Sequence, residues 1–227
     1  MQNIERLDQG FYTVPEAARL LGVADQKVRG WVAGYPRTRA APIVKTEIGW
    51  ADGRLGISFI NLMELRFISA FANLGVRVAS IRGMAAEAQE FLNHPHPFAT
   101  ETIFKTDGRS IFAQTAKVED DPGLYDLKAK NWAMYGIIAQ SLYDDVVFVD
   151  GMARAWHPRR HDAPDVVVTP SMAFGRPVLQ KHGIPTRALF EAYRAEGETV
   201  ETVALWYDVS ANDVHEAIKF ETLLRAA

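Results

Sequence analysis

The chain has 227 residues, 48% of them apolar and 23% charged, with a net charge of −3 and no cysteine. That length supports one large or two small cores. The composition excludes disulfides, thiolate metal sites and thiol redox sensing, and it leaves any nucleic-acid contact to a local basic patch.

The opening residues "MQNIERLDQGFYT" hold no apolar signal core, and no apolar run reaches the roughly 18 residues of a membrane span. A cytosolic protein without a membrane partner is the expectation. The first element is "YTVPEAARLLGVADQKVRGWV", Tyr12 to Val32. Thr13 and Glu16 form a capping box, each satisfying an orphan amide at a helix start. Val14, Ala17, Ala18 and Leu21 fall on one helical face, and Gly22 stops the helix. Val23 plugs the corner. A second helix follows with Val28, Trp31 and Val32 inward and Gln26, Lys27, Arg29 and Gly30 outward. Its cap position holds Ala24, where Ser, Thr or Asp is usual, so Asp25 is expected to take over the capping. This is the helix-turn-helix pattern, which alone leaves DNA contact and a plain structural corner both open.

"IVKTEIGWADGRLGISF" reads as a hairpin turning at Asp52-Gly53, and a hairpin beside a recognition helix is a wing. Residues 1–60 hold eight Lys/Arg against six Asp/Glu, with most of the bases after Gln26. Phosphate contacts supply much of the free energy of DNA binding, so this clustering outweighs the net charge. The candidate DNA-binding residues are Arg19, Gln26, Lys27, Arg29, Arg37, Arg39, Lys45 and Arg54. Two more helices follow, with stripes Leu62, Leu65, Ile68, Ala72 and, past Gly75, Val78, Ile81, Ala85, Ala88, Leu92.

Residues 12–92 thus resemble a MerR-type winged helix, on "YTVPEAARLLGV", "VRGW", the wing and "LMELRFISAFANLGVRVASIR". They depart from it where "HPHP", His94 to Pro97, ends the helix that in MerR regulators continues into a dimerising coiled coil. A dimer has to be made another way.

In the middle, "FATETIFKTDGRSIFAQTA" alternates around Asp107-Gly108 as a hairpin, "NWAMYGIIAQSL" is a helix, "VVFVDGMARAWHP" is a hairpin turning at Asp150-Gly151, and "PDVVVTP" is a further strand. "VEDDPG" is a loop. The sum is a small antiparallel sheet with one covering helix. His94/His96 and His157/His161 with Asp162 invite a metal reading, but zinc needs three or four ligands at fixed geometry. Proline-locked "HPHP" sends its imidazoles to opposite sides, and "WHPRRHD" sets two arginines between its histidines. Loop histidines near a sheet edge are the expectation, with no metal and no cofactor. No nucleophile elbow, phosphate-cradling glycine loop or HExxH occurs, so no catalytic residue is assigned and a hydrolase is the least supported class.

From Pro185 the pattern is again helical: "GIPTRALFEAYRAEG" up to Gly197, then a short helix with Val200, Val203 and Ala204 inward, Val209 as corner plug, and a start at Ser210/Asp213 for a helix with Val214, Ala217 and Ile218 inward. This has the shape of a three-helix DNA-binding unit. Its charge opposes that use, with four Lys/Arg against eight Asp/Glu from Pro185 to Ala227. A protein contact is the better reading, with Glu191, Trp206, Tyr207, Asp213, Glu216 and Phe220 as candidates for it.

This tail resembles the small domain of unknown function found in many antitoxins. The resemblance rests on Gly175, Pro177, Val178, Gly183, Ile184, Pro185, Thr186, Gly197, Thr199, Glu201, Tyr207, Ala217 and Phe220, and "HGIP" lacks the usual Thr-Arg before Ile-Pro. A MerR-like head followed by this tail resembles the long antitoxins of Vap-type operons. The fold expected is therefore α+β, with a winged helix-turn-helix over 1–93, a small antiparallel β segment over 94–165, and a three-helix, helix-turn-helix-like domain over 166–227. The resemblance implies a non-enzymatic antitoxin that represses its own operon as a homodimer or larger complex and whose partner is a PIN-domain ribonuclease toxin. The alternative is a one-component regulator whose middle sheet binds a small ligand and which has no toxin.

Overall fold

A computed structural model describes residues 9–36, 39–51, 53–105, 140–195, 197 and 199–226. The expected hairpin around Asp107-Gly108, the loop "VEDDPG" and most of the helix "NWAMYGIIAQSL" lie outside them.

The head begins with α1 (Val14–Leu21) and α2 (Asp25–Ala33). The Thr13/Glu16 capping box is formed in both directions, and Gly22 ends α1 in the left-handed conformation at φ 65°. Val14, Ala17, Ala18 and Leu20 are buried, and the two alanines let α1 approach α2 closely. Ala24 makes no side-chain cap on α2. At the other end of α2 the Trp31 carbonyl accepts the amides of Ile43 and Val44, which ties the following loop to the helix. The wing is short: β1 (Gly49–Ala51) pairs antiparallel with β2 (Arg54–Gly56), Trp50 facing Leu55.

Next come α3 (Phe59–Asn73) and α4 (Val78–Leu92). Ser58 and Asn61 form a reciprocal cap at the start of α3, whose Phe59, Leu62, Leu65, Phe67, Ile68 and Phe71 are all buried. This helix is the centre of the core. Asn93 closes α4 at φ 47°, and Pro97 then opens a single tight turn rather than a strand. The turn drives Phe98 against Phe67, rings stacked at 4.1 Å. Thr102–Lys105 continues as α5, so the described start of the alternating stretch is helical. Alternation misleads there because burial of Phe98 and Ile103 follows the turn and not a pleat.

The structure also corrects the reading of His96 as a loop residue at a sheet edge. Its Nδ1 lies 2.9 Å from Glu64 Oε2 on α3, and its Nε2 lies 3.2 Å from Glu47 Oε1 before the wing. Glu47 in turn accepts from the Ser58 hydroxyl at 2.6 Å. One imidazole thus joins the end of the α4 connection to the base of the wing.

A helical stretch at 140–144 leads into the hairpin of β3 (Val146–Val149) and β4 (Met152–Trp156), which turns at Asp150-Gly151 and carries a bulge at Val147/Phe148. Arg66 of α3 anchors it, reaching Asp145 at 3.1 Å and the Leu142 carbonyl at 2.6 Å and lying 5.4 Å from the Trp156 ring centre. Burial pushes that guanidinium down to about 10, against the pull of Asp145.

The strand expected at "PDVVVTP" is β5 (Val166–Val167), and it belongs to the tail. It pairs with β6 (Val178–Leu179), which pairs with β7 (Ile184–Pro185), all antiparallel. A lone bridge, Trp156 to Val168, links this sheet to the middle hairpin. Three helices follow: α6 (Thr186–Ala195), α7 (Val200–Tyr207) and α8 (Ala211–Ala226). Head and tail meet where the Tyr12 hydroxyl donates to the Gly175 carbonyl at 2.7 Å and the Phe11 amide donates to the Phe174 carbonyl at 3.1 Å.

The His96 cluster sets a pH dependence. Hydrogen bonds to Glu47 and then Glu64 push its imidazole up to about 9, against burial. The same bond to His96 lowers Glu47, whereas burial raises Glu64. A raised histidine stabilises the fold fully below its unfolded value, near 6.5, and that contribution is lost as pH climbs through about 9. With solvent screening at the Glu47 edge, about 2 kcal/mol should disappear across this window. Thermal unfolding from pH 6 to pH 9.5 should show a falling midpoint in the native chain and a much flatter profile in His96→Gln.

Candidate functional site

The outward face of α2 is built by its neighbours. Val28, Trp31 and Val32 are drawn into the core, which leaves Gln26, Lys27 and Arg29 fully in solvent. Among the described residues Lys27 and Arg29 make no ion pair, so both cations are free to meet an anion. Gly30 was expected on this face, but it is buried. A Cβ there would fall 2.3 Å from the Tyr35 ring, so Gly30 serves the close approach of Tyr35 to α2. Arg39 and Lys45 are exposed on the loop after α2, and Arg37 lies outside the described residues. Trp50, which sequence reasoning passed over, is 64% exposed on the wing. So large an apolar side chain left in solvent on a short strand stands out among the head's exposed residues.

Arg19 and Arg54 are exposed too, but they are placed differently. Both line a cleft between α1, the wing and the tail, which the α2 residues do not enter. Among the described candidates, Arg19 and Arg54 are thus set apart from Gln26, Lys27 and Arg29.

The tail departs from expectation in its anchors. Phe220 is 0% exposed, packed in the core formed by Val203, Val214, Ala217 and Leu224. It holds the tail together and cannot be an exposed anchor. Asp213 is also buried: its carboxylate accepts from the Ser210 amide at 2.8 Å and hydroxyl at 2.6 Å, which caps α8, and it lies 3.3 Å from His182 Nε2. Glu216 accepts the Asp165 amide at 2.6 Å, and Lys219 pairs with Asp162 at 3.1 Å. The buried carboxylate of Glu221 accepts from the Thr186 hydroxyl at 2.6 Å. The helix that would be a recognition helix is therefore committed to its own chain, and most of its acids are internal.

What stays open is α7. Leu205 is 80% exposed and Trp206 61% exposed, while Val200 and Val203 on the other side are buried. Tyr207 is half-buried. A helix apolar on both sides is normally covered on both. Here the outer side is bare, flanked by exposed Glu201 and Asp208, with Glu191 exposed on α6 and paired to Arg187. Spacing alone marks Val200, Val203 and Ala204 as inward, and Leu205 is the anchor this left unnoticed.

No group of three or more His, Asp or Glu arranged to hold a metal occurs among the described residues. His94 faces His96 edge-on at 6.2 Å between ring centres, and His157 Nδ1 lies 3.2 Å from the Val166 carbonyl. No helix among the described residues is long and apolar enough to cross a membrane.

Residues 10–85 match the family model described as "Putative DNA-binding HTH domain", and residues 166–220 match "Protein of unknown function (DUF433)". The chain is 23% identical over 228 residues to a Mycobacterium tuberculosis protein named "Putative antitoxin VapB45", covering 94% of each chain. Its fold is similar to the crystal structure of Rv2018 from Mycobacterium tuberculosis, with a TM-score of 0.74, 22% identity, and coverage of 92% of this chain and 96% of that one. The chain therefore has the layout of a long Vap-type antitoxin, a helix-turn-helix head followed by a DUF433 tail.

The reassigned anchors can be tested by stability. Phe220→Ala should cost about 3–5 kcal/mol in urea unfolding, because it opens a cavity in a closed core. Trp206→Ala should change stability by about 0.5 kcal/mol or less. The reverse order would return Phe220 to the surface.

Proposed function

We propose that the protein is a non-enzymatic, cytoplasmic antitoxin and autorepressor whose MerR-like winged head binds operator DNA as a dimer and whose tail neutralises a PIN-domain ribonuclease toxin. The observation that carries the reading is the exposed Gln26, Lys27 and Arg29 face of α2, in a head that also carries a wing with Trp50 in solvent and in a chain of this layout. DNA contact runs through α2, Arg39, Lys45 and Trp50. A single head offers few phosphate contacts, and pairing doubles them.

The tail meets the toxin through Leu205 and Trp206. Large apolar side chains in a bare patch supply most of an interface's free energy. The exposed acids Glu201 and Asp208 around them suit a basic face, as expected of a nuclease that must attract phosphate. The second reading, a ligand-responsive regulator without a toxin, draws on the cleft between head and tail.

In a mobility-shift titration with the chain's own promoter fragment, Arg29→Ala should weaken binding by about 1–3 kcal/mol if it reaches a base edge. Unchanged retardation by a variant with Lys27, Arg29 and Arg39 all replaced by alanine would remove the DNA assignment. Co-expressed with the product of the adjacent gene, the full chain should capture it, and a Leu205→Ser, Trp206→Ala double variant should lose most of it. Capture that is undiminished would move the toxin site elsewhere, and no capture by the native chain would favour the regulator.

A further inference from the structure

A cleft lies between head and tail. Its volume is about 670 Å³, within the roughly 300–1,000 Å³ of small-molecule sites. One wall is the outer side of α1 with the wing, and the other is the tail from Arg176 to Arg187 with α8. Four arginines and three glutamates line it. The glutamates are already committed. Glu16 accepts from the Thr13 amide at 2.8 Å and hydroxyl at 2.7 Å, Glu191 is paired with Arg187 at 2.6 Å, and Glu221 is buried against Thr186. Arg19, Arg54 and Arg176 make no ion pair among the described residues. Three arginines from three separate segments thus line one space with no ion pair among the described residues. A guanidinium offers five N–H donors in a planar fork that matches phosphate.

The cleft has an aromatic rim as well. The Phe11 ring lies over the Gly56 backbone, where a Cβ would meet it at 2.9 Å, and the ring remains 42% exposed. The buried Tyr12 forms part of the lining, with its hydroxyl held by the Gly175 carbonyl. We propose that this cleft binds a mononucleotide, with the phosphate on Arg19, Arg54 and Arg176 and the base against Phe11. A DNA duplex is the poorer fit, because a space of about 670 Å³ walled on two sides is far too small to admit a double helix. The assignment does not depend on the antitoxin reading, and it gives Arg19 and Arg54 a role apart from α2.

Isothermal titration of the full-length protein with AMP, GMP, CMP and UMP, with inorganic phosphate and adenosine as controls, tests it. At least one nucleotide should saturate at one site per chain, more tightly than either control. Arg19→Ala and Arg176→Ala should each weaken it about tenfold or more, with Arg176→Lys partly restoring it and unfolding midpoints unchanged. Phe11→Ala should weaken the nucleotide and leave phosphate binding as it was. No saturable heat with any of the four, adenosine binding as well as AMP, or unchanged affinity in the Arg19→Ala, Arg176→Ala double variant would overturn it. Loss of promoter retardation in that double variant, with no nucleotide heat in the native chain, would give the arginines to DNA instead.

Discussion

The bond between the Tyr12 hydroxyl and the Gly175 carbonyl, 2.7 Å long, is where the two ends of the chain become one molecule. Tyr12 is fixed on its own side first: its amide and carbonyl exchange two bonds of 2.9 Å with Ile57, at the exit of the wing. Burial pushes the phenol well above its ordinary value, so it stays a donor at every physiological pH. On the other side Gly175 sits at φ 88°, and a Cβ there would lie 2.3 Å from the tyrosine oxygen. Glycine at 175 thus answers to a residue 163 positions away as well as to its own backbone. A buried bond of this kind adds about 0.5–1.5 kcal/mol when made and costs more when one partner is removed. Its larger effect is on register. It places the tail against α1 and the wing, creates the cleft between them, and leaves the α2 face outside.

Two helical units with similar local patterns also present different surfaces. In the head, the second helix of the pair shows Gln26, Lys27 and Arg29 to solvent. In the tail, the corresponding helix α8 spends Asp213 on its cap, Glu216 on the Asp165 amide and Lys219 on Asp162. Charge counting alone points the same way, but the stronger reason is packing. The tail's open surface has passed to the preceding helix, where Leu205 and Trp206 stand bare.

Short-range features were legible from the residues. The boxes at Thr13/Glu16 and Ser210/Asp213, the stop at Gly22 and the turn at Asp150-Gly151 depend on neighbours within four positions, so local chemistry decides them. Features that depend on distant partners were not legible. Nothing near His96 announces Glu47 and Glu64, and nothing near Gly30 shows that Tyr35 folds back over it. Phe220 was misjudged because α8 is weakly amphipathic, so periodicity does not say which side is covered. "PDVVVTP" was correctly a strand, but its ladder partner, β6, follows it in the chain. The spacing also could not show that Arg19 and Arg54 turn away from α2 toward the tail.

We propose a division of labour: the head meets DNA through α2 and the wing while α7 stays free. Hydrogen exchange on the full-length protein, with and without a saturating duplex of its own promoter, reads both ends at once. The account requires slowed exchange over Asp25–Ala33 and the wing and unchanged exchange over Val200–Tyr207. Protection of α7 by DNA, or no protection of α2, would contradict it.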